Sequence, residues 1–260
     1  MHTLIFVLMS LLCLNTFQAY ANQADKAAPS QLADHATIQR RRIVLVRSNG
    51  LVKQFPHKKK ATLTYPVIGG LSGPVLRRVR SMLDFKNIFD YSLQEYRDDT
   101  WLDEFSYQVN HNGNYLLDIT FMQSGSAAYP DDQSKHFLIN LKTGRLVKAA
   151  DAFQPAGLVP LSILVNRKLQ EELKEILEDL NESKSDPEDI RIAKEAQEPL
   201  EFKVEHLNDF SVGDKGVTFL YDAGYPHVIK AFEPDGQYFF SYAELKPYIK
   251  PNGPLGQFLH

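Results

Sequence analysis

Cysteine is almost absent from this chain of 260 residues, and the only one is Cys13. It lies in the N-terminal apolar run from Leu4 to Leu14, which is shorter than the about 20 residues that cross a bilayer as a helix. Without that run the chain holds no thiol, which excludes disulfides, thiolate nucleophiles and cysteine metal ligands. An exported chain of this kind depends on its hydrophobic core for stability, which favours a bacterial periplasm or cell surface.

The motifs of the common enzyme classes are lacking as well. Neither a G-x-G-x-x-G nor a Walker sequence occurs, since Gly69 to Gly73 has neither the spacing nor the lysine. Ser126 is followed by two alanines, so it is not the serine of a G-x-S-x-G elbow. No H-E-x-x-H is present, and the histidines stand singly along the chain. We therefore expect no catalytic residue, no metal ligand and no cofactor.

Excess charge of one sign is also missing, because the net charge is -3 and the pI is near 6.2. This balance argues against nucleic acid as a partner. The charge is nevertheless segregated, since no acidic residue lies between Asp34 and Asp84, whereas residues 171–205 are rich in glutamate and aspartate. Either the basic third contacts an anionic envelope polymer, lipid headgroups or an acidic partner, or the two regions face one another in the fold, or both are simply solvated.

The N-terminus has the features of an export signal. The apolar run is followed by polar residues and then by Ala19-Tyr20-Ala21, the small-x-small pattern of a signal-peptidase site. We predict a signal peptide over residues 1–21, a flexible leader over residues 22–37 and a single domain over residues 38–260. The mature protein is then periplasmic or secreted in a bacterium, with no transmembrane span after cleavage.

Alternating apolar residues give the clearest strand signal. They predict an antiparallel pair from Phe105 to Val109 and from Tyr115 to Phe121, with a turn at Asn112-Gly113. Asn49-Gly50 lies between two short apolar runs and predicts a further hairpin, because this dipeptide readily adopts a positive φ. Turns before further strands are predicted at residues 142–144, 214–216 and 234–236.

Helical spacing appears in three places. Gly73-Pro74 opens a helix with one apolar face, residues Leu158 to Leu180 form a long amphipathic helix, and Pro187 starts a shorter one. We find no internal repeat and no second linker. The predicted fold is therefore α+β, with a single domain in which a mostly antiparallel sheet packs against one long amphipathic helix and shorter helices.

Two segments are candidates for a ligand-binding surface. The loop from Ser124 to Asp132 is rich in small residues and lets a ligand approach the backbone. The segment from Tyr221 to His227 offers tyrosines, which favour interfaces and stacking on sugars. The candidate ligand-binding residues are Ser126, Tyr129, Asp131, Asp132, Tyr225 and His227.

Four stretches share one likeness, and they are Phe137 to Leu146, Asp151 to Phe153, Phe210 to Tyr221 with Tyr225 and Gly236, and Tyr242 to Tyr248. These stretches are similar to the RsiV-like extracytoplasmic domain family. The likeness extends over about residues 62–249 and implies an exported α+β recognition domain. The family is catalogued as a domain of unknown function, and occurs in a lysozyme-sensing anti-sigma factor and beside a peptidoglycan deacetylase domain.

The resemblance has limits. Where relatives carry small residues ending in His-Pro or His-Gly, this chain has Ser126 to Pro130 without a histidine. A role for that histidine therefore does not carry over to this chain. We expect neither a transmembrane helix with a sigma-binding segment before the domain nor a deacetylase domain after it, so control of a sigma factor and deacetylation do not carry over either.

These observations predict an exported, non-enzymatic binding domain that recognises a cell-envelope ligand, either a lysozyme-like wall hydrolase or peptidoglycan. The alternative is a hydrolase of wall glycan or peptide that uses Asp131, Asp132 and His136 as acid and base. A third possibility is a structural envelope protein that pairs through an open sheet edge.

Overall fold

The computed structural model describes residues 34–126 and 130–259. The predicted signal peptide, most of the predicted leader and Tyr129 lie outside the described residues. Ala36 is already buried in the core, and the first strand begins at Thr37.

A six-stranded sheet forms the first half of the domain, and its strands lie side by side in chain order. All neighbours are antiparallel except β2 and β3, which are parallel. The strands are β1 (Thr37–Val46), β2 (Lys60–Gly69), β3 (Leu102–Gly113), β4 (Leu116–Ser126), β5 (Pro130–Asn140) and β6 (Arg145–Leu146).

The predicted β3–β4 pair is confirmed, but its turn is displaced by two residues. Asn114 and Tyr115 have φ values of 53° and 58°, as a tight two-residue hairpin turn requires at both central positions. Asn112 remains in β3 because its side-chain amide exchanges two hydrogen bonds with the backbone of Ala36. A tertiary contact therefore overrides the local Asn-Gly turn signal.

The predicted hairpin at Asn49-Gly50 is wrong. Residues Asn49–Gln54 form helix α1, a 3-10 helix follows, and β1 pairs with β2 instead. The guanidinium of Arg47 explains this difference, because it is buried and donates to the carbonyl groups of Lys58, Asp99 and Leu102. These long-range bonds fix the β1–β2 connection.

Three short helices cover one face of the six-stranded sheet. They are α2 (Gly73–Met82), α3 (Phe85–Phe89) and α4 (Leu93–Asp98). The apolar side chains of β2 to β5 meet these helices in a first core, which buries Leu63, Val79, Ile88, Phe105, Ile119 and Phe121 among others.

A second, three-stranded antiparallel sheet forms the other half of the domain, together with the longest helix. A second core lies between them and buries Leu161, Val165, Phe153, Phe210, Phe219 and Phe240 among others. The predicted long helix is confirmed, and so is the helix that starts at Pro187. The elements are α5 (Ala149–Ala152), α6 (Leu158–Glu182), α7 (Pro187–Gln197), β7 (Phe210–Val212), β8 (Gly216–Leu220), β9 (Gln237–Ser241) and α8 (Tyr242–Leu245), with 3-10 helices at Pro56–Lys58, Pro155–Gly157, Val204–Asn208, His227–Phe232 and Gly256–Phe258.

The fold class is thus confirmed as a single α+β domain, and the structure adds the division of its strands between two sheets. No helix within residues 34–126 and 130–259 combines the length and the apolar character that crossing a membrane requires.

Gly236 lies in the turn before β9 and has a φ of +67°. A Cβ atom there would lie 1.9 Å from the carbonyl oxygen of Tyr221. We expect Gly236→Ala to lower the free energy of unfolding by about 2 kcal/mol or more, measured by urea denaturation. Gly224 is the matched control, because it has the same φ but no atom within 4 Å of an added Cβ. Gly224→Ala should cost only about 1 kcal/mol, and equal losses in the two variants would contradict this account.

Candidate ligand-binding groove

Outside the part that packs in the second core, the second face of the six-stranded sheet is polar, whereas the first face is apolar. Because side chains alternate along a strand, the residues that face away from the first core fall into rows across β3, β4 and β5. Gln108, Thr120 and His136 lie side by side in one row, and Glu104, Ser124 and Asp132 lie in another. Much of this face is open to solvent, since Gln108, Glu104 and Asp132 are exposed.

A groove of about 980 Å³ lies between this polar face and the three-stranded sheet. We call it the central groove. Hydroxyl and amide side chains from both sheets line it, and acidic groups outnumber basic ones. Its neutral polar residues include Gln108, Asn110, Thr120, Ser134, Ser211 and Thr218. Its charged residues are Asp90, Asp132, Asp209, Asp222, Glu233 and Asp235 against Lys135, Lys230 and His136.

Two carboxylates hold a buried histidine at the base of the central groove. Nε2 of His136 lies 2.9 Å from Oδ1 of Asp118, and Nδ1 lies 2.8 Å from Oδ1 of Asp209. Asp118 is fully buried and also accepts hydrogen bonds from the Asn110 amide at 2.7 Å and the Val212 N–H at 2.6 Å. The group therefore joins β4 and β5 of the large sheet to β7 of the small one.

The surroundings of His136 keep its imidazole charged. Burial alone would lower the pKa of His136, but the hydrogen bonds and charges of Asp118 and Asp209 outweigh it and raise the pKa to about 9. At neutral pH the ring is therefore an imidazolium that donates from both nitrogens. A ring with both nitrogens engaged is not available as a general base. His136 thus acts as a charged link between the two sheets.

Among the described residues, no group of three or more histidine, cysteine, aspartate or glutamate side chains is placed to hold a metal ion.

Asp131 and Asp132 do not lie in a loop as predicted. Strand β4 extends to Ser126 and β5 begins at Pro130, so both aspartates are part of the β4–β5 ladder. Consecutive strand residues point to opposite faces of a sheet. Asp132 lines the central groove, whereas Asp131 accepts a hydrogen bond from Gln133 at 3.2 Å. The two carboxylates therefore do not share one side of the sheet.

Ser126 lies at the end of β4 in a network of its own. Its hydroxyl accepts a hydrogen bond from Nζ of Lys58 at 2.7 Å and donates to Asp103 at 3.3 Å. The Lys58 ammonium also pairs with the Asp103 carboxylate. Nζ of Lys58 donates to the Ser126 hydroxyl, which is the opposite of the contact through which a base would accept the hydroxyl proton. The network therefore stabilises the end of the hairpin without activating the serine.

Tyr225 and His227 lie in a segment that reaches the rim of the central groove. The Tyr225 N–H donates to Glu233, and its buried hydroxyl has no hydrogen-bond partner among the described residues. Burial raises the pKa of Tyr225 to about 12. His227 begins the 3-10 helix at His227–Phe232, whose Lys230 lies 3.9 Å from Asp131. The structure thus brings this segment next to Asp131.

The fold that carries the central groove is similar to that of solved structures. A crystal structure of a DUF3298 family member from Bacteroides fragilis aligns with 87% of this chain and 98% of its own, with a TM-score of 0.52 and 12% sequence identity. The chain has the fold of a DUF3298 protein. A DUF3298 family protein from Pseudomonas aeruginosa aligns with 85% of this chain and 96% of its own, with a TM-score of 0.46 and 12% identity. No family model matches the sequence, and no curated protein matches it.

Proposed function

We propose that this protein is an exported, non-enzymatic binding domain of the RsiV-like type that recognises a cell-envelope ligand in the central groove. The observation that carries the proposal is the groove itself, which is open, acidic and lined by hydroxyl and amide side chains. Of the two ligands that the sequence suggests, its charge favours a cationic, lysozyme-like wall hydrolase over peptidoglycan. The predicted signal peptide supports export, although it lies outside the described residues.

The side chains nearest the groove favour binding over catalysis. Hydrolysis by acid and base needs two groups that face the same reacting bond, with one of them able to accept a proton. Asp131 and Asp132 lie on opposite faces of β5, and both ring nitrogens of His136 are already engaged. The hydrolase alternative therefore lacks a matched pair among these three residues.

Charge distinguishes the two proposed ligands. Complementary potentials raise the association rate and select partners, so the acidic lining attracts a basic protein surface. The same lining repels the carboxylates of peptidoglycan stem peptides. The hydroxyl and amide groups of the groove suit sugar hydroxyls as well, so peptidoglycan is retained as an outcome of the test.

We expect the purified protein to bind immobilised lysozyme saturably at low and at moderate salt. Asp132→Lys, which places a cation in the groove, should weaken this binding by about tenfold at moderate salt. Asp179→Lys is the matched control, because it makes the same charge change at an exposed position of α6 away from the groove. The measurement is surface plasmon resonance, with a parallel sedimentation assay on insoluble peptidoglycan.

The outcomes separate the alternatives. Equal weakening in both variants would mean that lysozyme senses only the net charge, and would overturn the groove as the binding site. Binding to peptidoglycan alone would replace the lysozyme version with the glycan version. Binding to neither ligand would overturn the proposed function.

A further inference from the structure

One side of β5 carries no partner strand over most of its length. Strand β4 pairs with β5 from Pro130 to Asn140, but β6 pairs only with Ile139 and Asn140 on the other side. Among the described residues, no strand therefore pairs with this side of β5 between residues 130 and 138. We call this stretch the open edge.

The direction of the backbone groups along the open edge follows from one hydrogen bond. The Leu138 carbonyl accepts from the Val147 N–H at 2.8 Å, so the peptide groups of Leu138 point towards β6. In an antiparallel ladder these groups alternate between the two sides of a strand. The N–H and C=O groups of Asp132, Ser134 and His136 therefore also point to the open edge.

The open edge lies between two walls of the central groove. Residues 132–136 line the central groove. Phe89, the last residue of α3, and Asp90, which follows it, line the groove on one side, and residues 233–237 line it on the other. Proteins usually protect an edge strand with charges, proline, a bulge or a covering element, and here Pro130 and the charged side chains of Asp131, Asp132 and Lys135 lie along the edge. An edge with walls on both sides admits a single extended segment more readily than the same edge of a second copy.

The charges around the open edge specify the segment that fits. Six carboxylates and two lysines line the groove with the His136 imidazolium, which leaves an excess of negative charge. We infer that an extended segment of a protein partner, bearing lysine or arginine, adds to β5 as an extra strand. Its backbone would pair with Asp132, Ser134 and His136, as in other cases of strand addition. This inference rests on the proposed function, since it specifies how a cationic partner would occupy the central groove.

Ser134→Pro tests the backbone pairing directly. Proline removes the N–H that points to the open edge and leaves the bonds to β4 in place, because Ser134 does not exchange hydrogen bonds with β4. Ser134→Ala is the control, since it removes the hydroxyl but keeps the N–H. The probe is a short capped peptide in which lysine alternates with threonine, with a glutamate peptide of the same design as its charge control.

We expect the lysine peptide to bind the wild type and Ser134→Ala alike, and Ser134→Pro about tenfold more weakly, by fluorescence anisotropy. The glutamate peptide should not bind. Hydrogen exchange at the amides of Asp132, Ser134 and His136 should slow when the lysine peptide is added. Circular dichroism and thermal melting establish that Ser134→Pro is folded, and if it is not, the exchange measurement on the wild type decides.

Three results would overturn the inference. The first is that the lysine peptide binds Ser134→Pro as tightly as it binds the wild type. The second is that the glutamate peptide binds as well as the lysine peptide. The third is that hydrogen exchange at the three amides does not change when the lysine peptide is added. Association of the wild type with itself, lost in Ser134→Pro, would assign the open edge to a second copy instead. If Asp132→Lys weakens lysozyme binding but Ser134→Pro does not, the proposed function stands and only strand addition fails.

Discussion

Asp118→Asn is expected to lower the free energy of unfolding at neutral pH by about 3 to 5 kcal/mol. The substitution removes the buried negative charge that faces the His136 imidazolium. It also places an amide NH₂ group among three donors, the His136 ring, the Asn110 amide and the Val212 N–H. An NH₂ group cannot accept from any of them, so at least one buried hydrogen bond is lost. Urea denaturation followed by circular dichroism measures the effect.

Asp209→Asn is the control for this prediction. Asp209 contacts the other nitrogen of the same ring, but its side chain is 58% exposed. Water can replace the lost carboxylate there, so we expect a loss of at most about 1 kcal/mol. Equal losses in the two variants would mean that the buried environment of Asp118 contributes nothing special, and would contradict our account of the site.

The second large effect is on the pH dependence of stability. His136 has an ordinary pKa of 6.5 in the unfolded chain and about 9 in the folded protein. A raised pKa in the folded state stabilises the protein fully below pH 6.5, and this contribution disappears as the pH rises through about 9. We expect a loss of roughly 3 kcal/mol over this range.

The measurement is a series of urea denaturation curves from about pH 6 to about pH 10. His136→Gln is the reference, because it lacks the titrating ring and should show a much smaller change over the same range. If the wild type and His136→Gln lose stability in parallel, another group is responsible and His136 does not carry the charge that we assign to it.

Much of the fold is predictable from local patterns. Alternating apolar residues predict β3 and β4, and an apolar stripe predicts α6. Each pattern repeats with the period of a strand or a helix that buries one face. The failures occur where a distant contact decides a local conformation. The Arg47 guanidinium binds carbonyl groups far along the chain, and a helix forms where Asn49-Gly50 predicts a hairpin.

The candidate site was less accessible to sequence reasoning. Asp131 and Asp132 are predicted as site residues because a small-residue loop would let a ligand approach the backbone, whereas both lie in β5 with their side chains on opposite faces. Asp118 was missed, although an aspartate in the apolar stretch Leu116 to Ile119 is a signal in itself, since a buried carboxylate needs a partner. Asp209 contacts His136 because the two sheets pack against each other, and no local sequence pattern reveals that packing.

The β4–β5 ribbon belongs to both cores at once. Leu116 and Leu138 are buried in the second core, whereas Leu117 and Ile139 are buried in the first. Neither half of the domain can therefore lose its structure without exposing apolar side chains of the other, which is the condition for all-or-none melting. A fragment that ends after β6 would leave Leu116, Leu138 and the Asp118 carboxylate uncovered, so the two sheets form one indivisible folding unit.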